Sequence, residues 1–168
     1  MVVFGSGGHT TEMIQILNGL GVDYFQKISF IYSSQDILSK DAALNSFRHK
    51  NSKFILIPRA RRVGQSYFSS VFTTINAFMT SVSVLVSTSP DIIICNGPAI
   101  CVPIVIASYI YRILGLEYSS VVYIESFARV KTLSLTGKLL YRLSDKFVVQ
   151  WPYFKKTYPR SEYYSYLV

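Results

Sequence analysis

The chain has 168 residues, of which half are hydrophobic, 15% aromatic and 15% charged. This length fits one domain or one large half of a two-domain protein, and the apolar content excludes a disordered chain. Lysine and arginine outnumber aspartate and glutamate by 17 to 9, for a formal net charge of +8, so phosphates, nucleic acid or an anionic membrane surface are the expected partner classes.

Short apolar runs alternate with segments of helical periodicity along the chain. Strands are predicted at residues 2–4, 27–32, 54–57, 91–95, 120–124 and 146–150. Helices are predicted from the first glycine turn to Leu20, then at residues 39–49, 66–85, 99–114 (starting at Pro98) and 134–143. Continuous valine and isoleucine strands separated by helices favour a parallel sheet covered on both faces. The predicted fold class is therefore α/β, a doubly wound Rossmann-like parallel sheet.

Two long stretches, residues 63–90 and 92–111, carry no charge. The first is rich in serine and threonine, and the second is interrupted by Asn96-Gly97-Pro98 and by Pro103, so we interpret both as buried or surface-seeking elements. Cys95 and Cys101 lack the spacing of a zinc site and are predicted to be reduced core thiols.

In a doubly wound fold, ligands bind outside the carboxyl ends of the strands. Four polar loops are predicted to meet there, at residues 5–11, 59–65, 96–98 and 125–129. The first places three glycines before a helix, whose start favours a pyrophosphate. The dinucleotide fingerprint fits poorly, because Thr10 stands at its third glycine position. The alternative is a glycine turn needed only for packing.

Several side chains in these loops are candidates for chemistry. His9 is either a general base or a structural histidine bonded to backbone. Glu125 is predicted to bond a substrate hydroxyl or to pair with Arg129. A basic loop, which is either a phosphate site or a solvated surface, contains Arg59, Arg61 and Arg62. No Asp-x-Asp pair is present for a divalent metal, and the basic residues do not interleave with aromatics as in nucleic-acid binders.

Six segments together carry a resemblance to a known family. They are FGSGGHTTEM at residues 4–13, PRAR at 58–61, CNGP at 95–98, YIESFARV at 123–130, LSLTGK at 133–138 and QWP at 150–152. These segments closely resemble the family of asparagine-linked glycosylation protein fourteen. That family supplies the membrane-recruiting, acceptor-side subunit of the eukaryotic UDP-N-acetylglucosamine transferase.

The resemblance implies a fold, a reaction and a partner. The chain would be one half of a GT-B glycosyltransferase, similar to the amino-terminal domain of bacterial lipid II synthase. Its partner would be a separate donor-binding chain, asparagine-linked glycosylation protein thirteen, and the chain alone is expected to be inactive. The complex would transfer N-acetylglucosamine from its UDP donor to N-acetylglucosaminyl-pyrophosphoryl-dolichol, for N-linked glycosylation, at the cytosolic face of the endoplasmic reticulum. No tightly bound cofactor or metal and no nucleic acid are expected.

The resemblance also implies roles for individual residues. The acceptor pyrophosphate would be bound by Gly5, Ser6, Gly7, Gly8, Thr10, Asn96, Gly97 and Pro98. His9 or Glu125 would be catalytic, Ser126 and Arg129 would lie on the acceptor side, and the three arginines would contact phosphate or membrane. Residues 1–152 would form the domain, and residues 153–168 an apolar tail. Partner docking is assigned within this tail to Tyr163, Tyr164, Tyr166, Leu167 and Val168.

In one respect the sequence departs from the family. Members usually carry an amino-terminal membrane helix before the first strand, and none precedes it here, so either the sequence begins late or this form is peripheral and is anchored in another way. The helix at residues 66–85 and the basic loop before it would form an apolar patch with a basic rim, as an interfacial anchor needs. Two alternatives remain: a stand-alone nucleotide-binding Rossmann enzyme, and a non-catalytic scaffold.

Overall fold

A seven-stranded sheet, in which all the pairs are parallel, runs through the computed structural model, which describes residues 1–33, 37–47, 52–59, 67–165 and 167. The strands are β1 (Val2–Val3), β2 (Ile28–Ser33), β3 (Ser52–Ile57), β4 (Ile92–Asn96), β5 (Ser120–Ile124), β6 (Lys146–Val149) and β7 (Ser161–Tyr163). The helices are α1 (Gly8–Leu20), α2 (Ile37–Ser46), α3 (Tyr67–Thr88), α4 (Cys101–Ile113), α5 (Leu135–Leu140) and α6 (Phe154–Thr157), with a 3₁₀ turn at Val22–Tyr24.

Successive residues of the strands enter two different hydrophobic clusters, because side chains alternate between the faces of a sheet. Val2 packs in the cluster that contains Met13 of α1 and Phe47, which follows α2. Val3 packs in the cluster that contains Ile104 of α4 and Leu140 of α5. Helices therefore cover both faces of the sheet, and the predicted doubly wound fold is confirmed.

The strand order is β3-β2-β1-β4-β5-β6-β7, which puts β1 between β2 and β4. Val3 lies opposite Ile31 on one side and Cys95 on the other. The chain is thus wound outward from β1 in two directions. In such sheets the connections diverge at this point and leave a crevice at the carboxyl ends of the strands.

Helix α4 differs from its predicted form. It begins at Cys101 rather than at Pro98, whose carbonyl oxygen accepts a bond from the Cys101 N–H at 3.0 Å. One face is buried, but Ile106, Ile110 and Ile113 are exposed, so the helix is not buried all round as expected. Cys95 and Cys101 are buried free thiols, as predicted.

The segment after residue 152 is part of the sheet rather than a separate tail. It forms α6 and then β7, which pairs in parallel with β6 and sets Ser161 opposite Phe147. Phe154 is buried in the same cluster as Leu140. The predicted domain boundary at residue 152 therefore falls inside the folded unit.

The length and composition of helix α3 would allow it to cross a membrane. Of its residues Val71–Thr88, 22% are buried in the protein. The face against the sheet buries Ala77, Ser81, Val84 and Leu85. The opposite face carries a row of exposed apolar side chains, which we call the α3 stripe. The α3 stripe consists of Val71, Phe72, Ile75, Met79 and Val86.

Candidate active site

The first glycine loop, residues 5–8, joins β1 to α1 at the crevice. Gly7 has a left-handed backbone, with φ at +60°, and no side chain caps the helix at this position. A Cβ added at Gly7 or Gly8 would meet nothing within 4 Å, so the loop is open on its outer side. The start of α1 therefore offers backbone N–H groups and the positive end of a helix dipole to an anion.

Thr10 forms hydrogen bonds with the backbone on the inner side of this loop. Its hydroxyl donates to the Gly5 carbonyl oxygen at 2.6 Å, and its N–H donates to the Gly7 carbonyl oxygen at 3.0 Å. The side chain is buried. Both donors face the loop, so Thr10 shapes it, and its predicted part in binding a pyrophosphate stays a prediction.

The second glycine loop, residues 96–98, lies against the first across the ring of His9. Gly97 has φ at +68°, and a Cβ there would overlap the imidazole, with Nδ1 only 2.7 Å away. On the other side, a Cβ at Gly5 would lie 2.6 Å from His9 Cβ and 3.0 Å from Pro98 Cγ. The two loops are thus in contact, and His9 is held between them.

A chain of hydrogen bonds joins the loops through polar side chains. His9 Nδ1 lies 2.9 Å from Asn96 Oδ1, and Asn96 Nδ2 donates to Glu12 Oε2 at 3.1 Å. On its other oxygen, Glu12 accepts a bond of 2.8 Å from the Ser126 hydroxyl. Asn96 is fully buried, while the side chain of His9 remains 34% exposed. The imidazole is therefore fixed by the protein and still open to a substrate.

Glu12 is the site residue that sequence reasoning missed. It belongs to the FGSGGHTTEM segment, and it stands three positions after His9 on α1. Residues at this spacing lie on the same face of a helix. That spacing could have indicated that Glu12 lies beside His9. The contacts of the Glu12 carboxylate with Asn96 and Ser126, however, form only in the folded chain.

Glu125, in contrast, faces into the protein. One carboxylate oxygen accepts a bond from the Ser126 N–H at 3.2 Å. The other accepts bonds from the N–H and the hydroxyl of Ser134, at 2.9 and 3.0 Å. Burial raises the pKa of this carboxyl, although the bonds from Ser134 and Ser126 oppose the rise. The structure therefore does not support a catalytic Glu125, which instead fastens the loop after β5 to the start of α5.

The loop after β5 is oriented by an aromatic contact as well. Trp151 donates from Nε1 to the Phe127 carbonyl oxygen at 2.9 Å, and the two rings lie 5.0 Å apart. Ser126 is buried and bonded to Glu12, so the structure places this serine beside His9 and Glu12, and its acceptor-side role stays a prediction. Arg129 is exposed on the outer part of the loop and acts on Glu125 only through space, in place of the predicted ion pair.

Comparison with known proteins decides the family. The sequence model described as "Oligosaccharide biosynthesis protein Alg14 like" matches residues 1–167. This chain belongs to the Alg14-like family. The resemblance seen in the sequence motifs is thereby confirmed.

Curated relatives in the Alg14-like family share the whole of this chain. A protein of Yarrowia lipolytica named "UDP-N-acetylglucosamine transferase subunit ALG14" is 42% identical over 173 residues, which cover 100% of this chain and 80% of the relative. The human protein of the same name is 40% identical over 179 residues and is covered to 82%.

Solved structures show the same fold at low sequence identity. The crystal structure of Acinetobacter baumannii MurG matches 98% of this chain with a TM-score of 0.68 and 18% identity. A putative UDP-N-acetylglucosamine 2-epimerase of Listeria monocytogenes matches 95% with a TM-score of 0.67 and 14% identity. This chain spans only 44% and 41% of those two chains, so its fold is that of one half of a GT-B protein.

Other predicted site residues lie away from His9. Arg59 follows β3, which β2 separates from β1, so it stands at the same edge of the sheet but farther out. Arg61 and Arg62 are outside the described residues, and their roles stay predictions. Across the described part of the chain, no group of three or more His, Cys, Asp or Glu side chains converges as metal ligands would.

The predicted docking residues are divided between the sheet and the residues beyond it. Tyr163 ends β7 opposite Val149, and the exposed Tyr164 donates its N–H to the Val149 carbonyl oxygen at 3.2 Å. Leu167 packs against the cluster that contains Met13 of α1. Tyr166 and Val168 lie outside the described residues. The role of all five residues in partner docking stays a prediction.

Proposed function

We propose that this chain is the acceptor-binding subunit of a UDP-N-acetylglucosamine transferase. With a donor-binding subunit it would add the second N-acetylglucosamine to N-acetylglucosaminyl-pyrophosphoryl-dolichol. Family membership and the names of the relatives support this proposal. The observation that carries it is the contact of the two glycine loops across His9, which sets a partly exposed imidazole beside an uncapped helix start.

The glycine loops would hold the lipid pyrophosphate. Residues 5–8 are open on the outside and precede α1, whose first N–H groups need partners. Gly97 and Pro98 form the adjoining wall. A pyrophosphate at this position would accept bonds from backbone N–H groups and gain from the helix dipole, while the +8 charge of the chain favours its approach.

The reaction would be an inverting displacement. The hydroxyl oxygen of the acceptor sugar attacks the anomeric carbon of the donor, and the bond from that carbon to the UDP oxygen breaks, so that UDP leaves. The proton of the attacking hydroxyl passes to Nε2 of His9, which acts as the general base.

The donor site would come from a second chain, which we assign to asparagine-linked glycosylation protein thirteen. This chain has the fold of one half of a GT-B protein, and the other half of that fold would bind UDP-N-acetylglucosamine. The α3 stripe would rest on the cytosolic face of the endoplasmic reticulum membrane. These assignments explain why apolar side chains as large as Phe72 and Met79 are exposed.

Replacing His9 in the assembled complex tests the catalytic assignment. We expect His9→Ala to lower turnover of UDP-N-acetylglucosamine with a pyrophosphoryl-lipid acceptor by about 100-fold or more, the usual contribution of a general base. His9→Gln serves as the matched variant that keeps a polar side chain over Gly97 and cannot take the proton. Turnover within about twofold of the parent in both variants would contradict the proposal.

A further inference from the structure

The bond between His9 and Asn96 has a direction that Glu12 determines. An ionised carboxylate can only accept hydrogen bonds, so the atom of Asn96 that faces Glu12 must be its amide nitrogen. The Asn96 oxygen then faces His9, and His9 Nδ1, at 2.9 Å, must donate to it. In its neutral form His9 therefore carries its proton on Nδ1 and has a lone pair on Nε2.

Nothing in the described part of the chain forms a hydrogen bond to this Nε2. The side chain is 34% exposed, so the lone pair can reach a bound hydroxyl. A neutral imidazole in the other tautomer would present an N–H at this atom and could not act as a base there. The tautomer is thus decisive for the chemistry of the site.

Glu12 is itself held from a second direction. The Ser126 hydroxyl donates to Oε1 at 2.8 Å and also accepts a bond from the Ala128 N–H at 3.2 Å. The carboxylate side chain is only 13% exposed, so water screens its charge weakly. Its Oε2 lies 3.9 Å from His9 Nδ1, close enough to stabilise the positive ring that forms when Nε2 takes a proton.

From these bonds we propose that Glu12 is a positioning residue that acts on His9 through Asn96. It fixes the Nδ1–H tautomer, aims Nε2 at the acceptor hydroxyl and offsets the charge of the protonated ring. This inference rests on the proposed function, because it assigns Glu12 to the same transfer reaction. Its central claim, the tautomer of His9, can nevertheless be measured without any turnover.

The first test replaces the carboxylate of Glu12 by an amide. In Glu12→Gln, the new side chain can donate as well as accept, so Asn96 is free to turn and the His9 tautomer is no longer fixed. In the assembled complex we expect kcat to fall by about 100-fold, with the KM for UDP-N-acetylglucosamine unchanged. Gln15→Glu, an isosteric change at an exposed position of the same helix, is the matched control and should leave kcat unchanged.

The second test moves the carboxylate from position 12 to position 96, which is one step nearer to His9 in the hydrogen-bond network. In the double variant Glu12→Gln with Asn96→Asp, the carboxylate introduced at position 96 accepts from His9 Nδ1, and the amide introduced at position 12 donates to it. The order of donors and acceptors is thereby restored. We expect the double variant to recover at least about tenfold of the lost kcat, which a merely structural role for Glu12 would not produce.

The readout that separates this proposal from the proposed function is the nitrogen-15 resonance of His9 in the complex, at a pH where the ring is neutral. We expect Nδ1 to be protonated in the parent and in the double variant, and the tautomers to mix in Glu12→Gln. An unchanged tautomer in Glu12→Gln, or no restoration in the double variant, overturns the role of Glu12. Undiminished turnover in both His9→Ala and His9→Gln instead overturns the proposed function, whatever the tautomer.

Discussion

At the scale of single residues, the glycines of the two loops serve two different purposes. Gly5 and Gly97 are required for packing, because a side chain at either would collide with His9. Gly7 and Gly8 have open space beside them, and there the absence of a side chain leaves room for a ligand to approach the backbone. The packing and the anion-binding interpretations of the glycine loop are therefore both supported, each at its own positions.

Two carboxyl groups at this edge of the sheet have opposite roles. Glu12 contacts His9 and lies in the crevice. Glu125, in contrast, is buried, and its oxygens accept hydrogen bonds from Ser126 and Ser134. A residue at Gly137 with a side chain would overlap the Glu125 carboxylate. Glu125 is thus packed on all sides and determines the path of the chain from β5 to α5.

We expect Glu125→Gln to destabilise the protein by about 1–3 kcal/mol at neutral pH, because one N–H or hydroxyl donor then loses its acceptor. The carboxyl has a pKa above its ordinary value of 4.5 in the folded state. The contribution of Glu125 to the free energy of unfolding is therefore greatest below pH 4.5 and falls as the pH rises towards the folded pKa. The glutamine variant lacks this dependence, so the difference in free energy of unfolding should be larger near pH 4.5 than at neutral pH.

Urea unfolding of both proteins across this pH range measures the difference. Glu117→Gln, in the segment between α4 and β5, is the control for loss of a carboxyl group elsewhere. A difference that grows with increasing pH would contradict the assignment, since it would mean that folding favours the ionised form of Glu125.

At the scale of elements, α3 combines a sheet-facing side with an apolar outer side. Its hydroxyl side chains bond to carbonyl oxygens of the same helix, as Thr80 does to Asn76 at 2.9 Å and Ser83 to Met79 at 3.2 Å. Hydroxyls satisfied in this way cost less free energy when they leave water. The serine and threonine content therefore does not prevent this helix from lying in a membrane interface.

We predict that the α3 stripe carries membrane binding. Ile75→Glu with Met79→Glu removes two apolar side chains, each of which contributes about 1.5 kcal/mol or more when buried in an apolar phase. Binding to vesicles that contain anionic phospholipid should weaken at least about tenfold in a sedimentation assay. Asn76→Glu with Ser87→Glu adds the same charge at exposed positions beside the stripe and should retain most of the binding. Equal losses in the two variants would show that net charge, and not the stripe, governs the association.

Most elements were predictable because their apolar runs are long. Residues 120–124 form β5 as predicted, and α1 ends at Leu20 before Gly21, whose left-handed φ of +71° ends the helix. Strand β7 was missed because its three residues, SEY, carry no apolar period. Strand β7 forms because it pairs with β6, and this pairing arises only in the folded sheet.

At the scale of the whole molecule, the chain has one half of a two-domain architecture and a last segment that lies along its edge. β7 closes the sheet at the β6 side, and Leu167 returns to the cluster below β6 and β5 that contains Val148 and Ile124. Since β7 belongs to the sheet, a test of partner docking must leave it intact.

We predict that removing residues 165–168 lowers co-purification of the donor-binding subunit at least about tenfold, as expected when buried apolar anchors of an interface are lost. The sheet ends before this segment, so the strands stay paired and the melting temperature should fall only by the loss of the Leu167 packing. Tyr24→Ser removes an aromatic side chain that is 89% exposed near the amino ends of β1, β2 and β4 and should leave co-purification unchanged. Full-strength pairing after the truncation would assign docking to another surface.

The fold class, the two glycine loops and the family could all be predicted from the amino-acid sequence, because apolar periodicity, turn glycines and short motifs are local properties of the chain. Which carboxylate lies beside His9 emerges only from the folded chain. Glu12 and Glu125 are both acidic residues beside predicted loops, and the sequence favoured Glu125 because it ends a buried strand. The direction of the Glu12 side chain depends on its contacts with Asn96 and Ser126, which lie 84 and 114 positions away, and these contacts form only when the strands come together in the order β1-β4-β5.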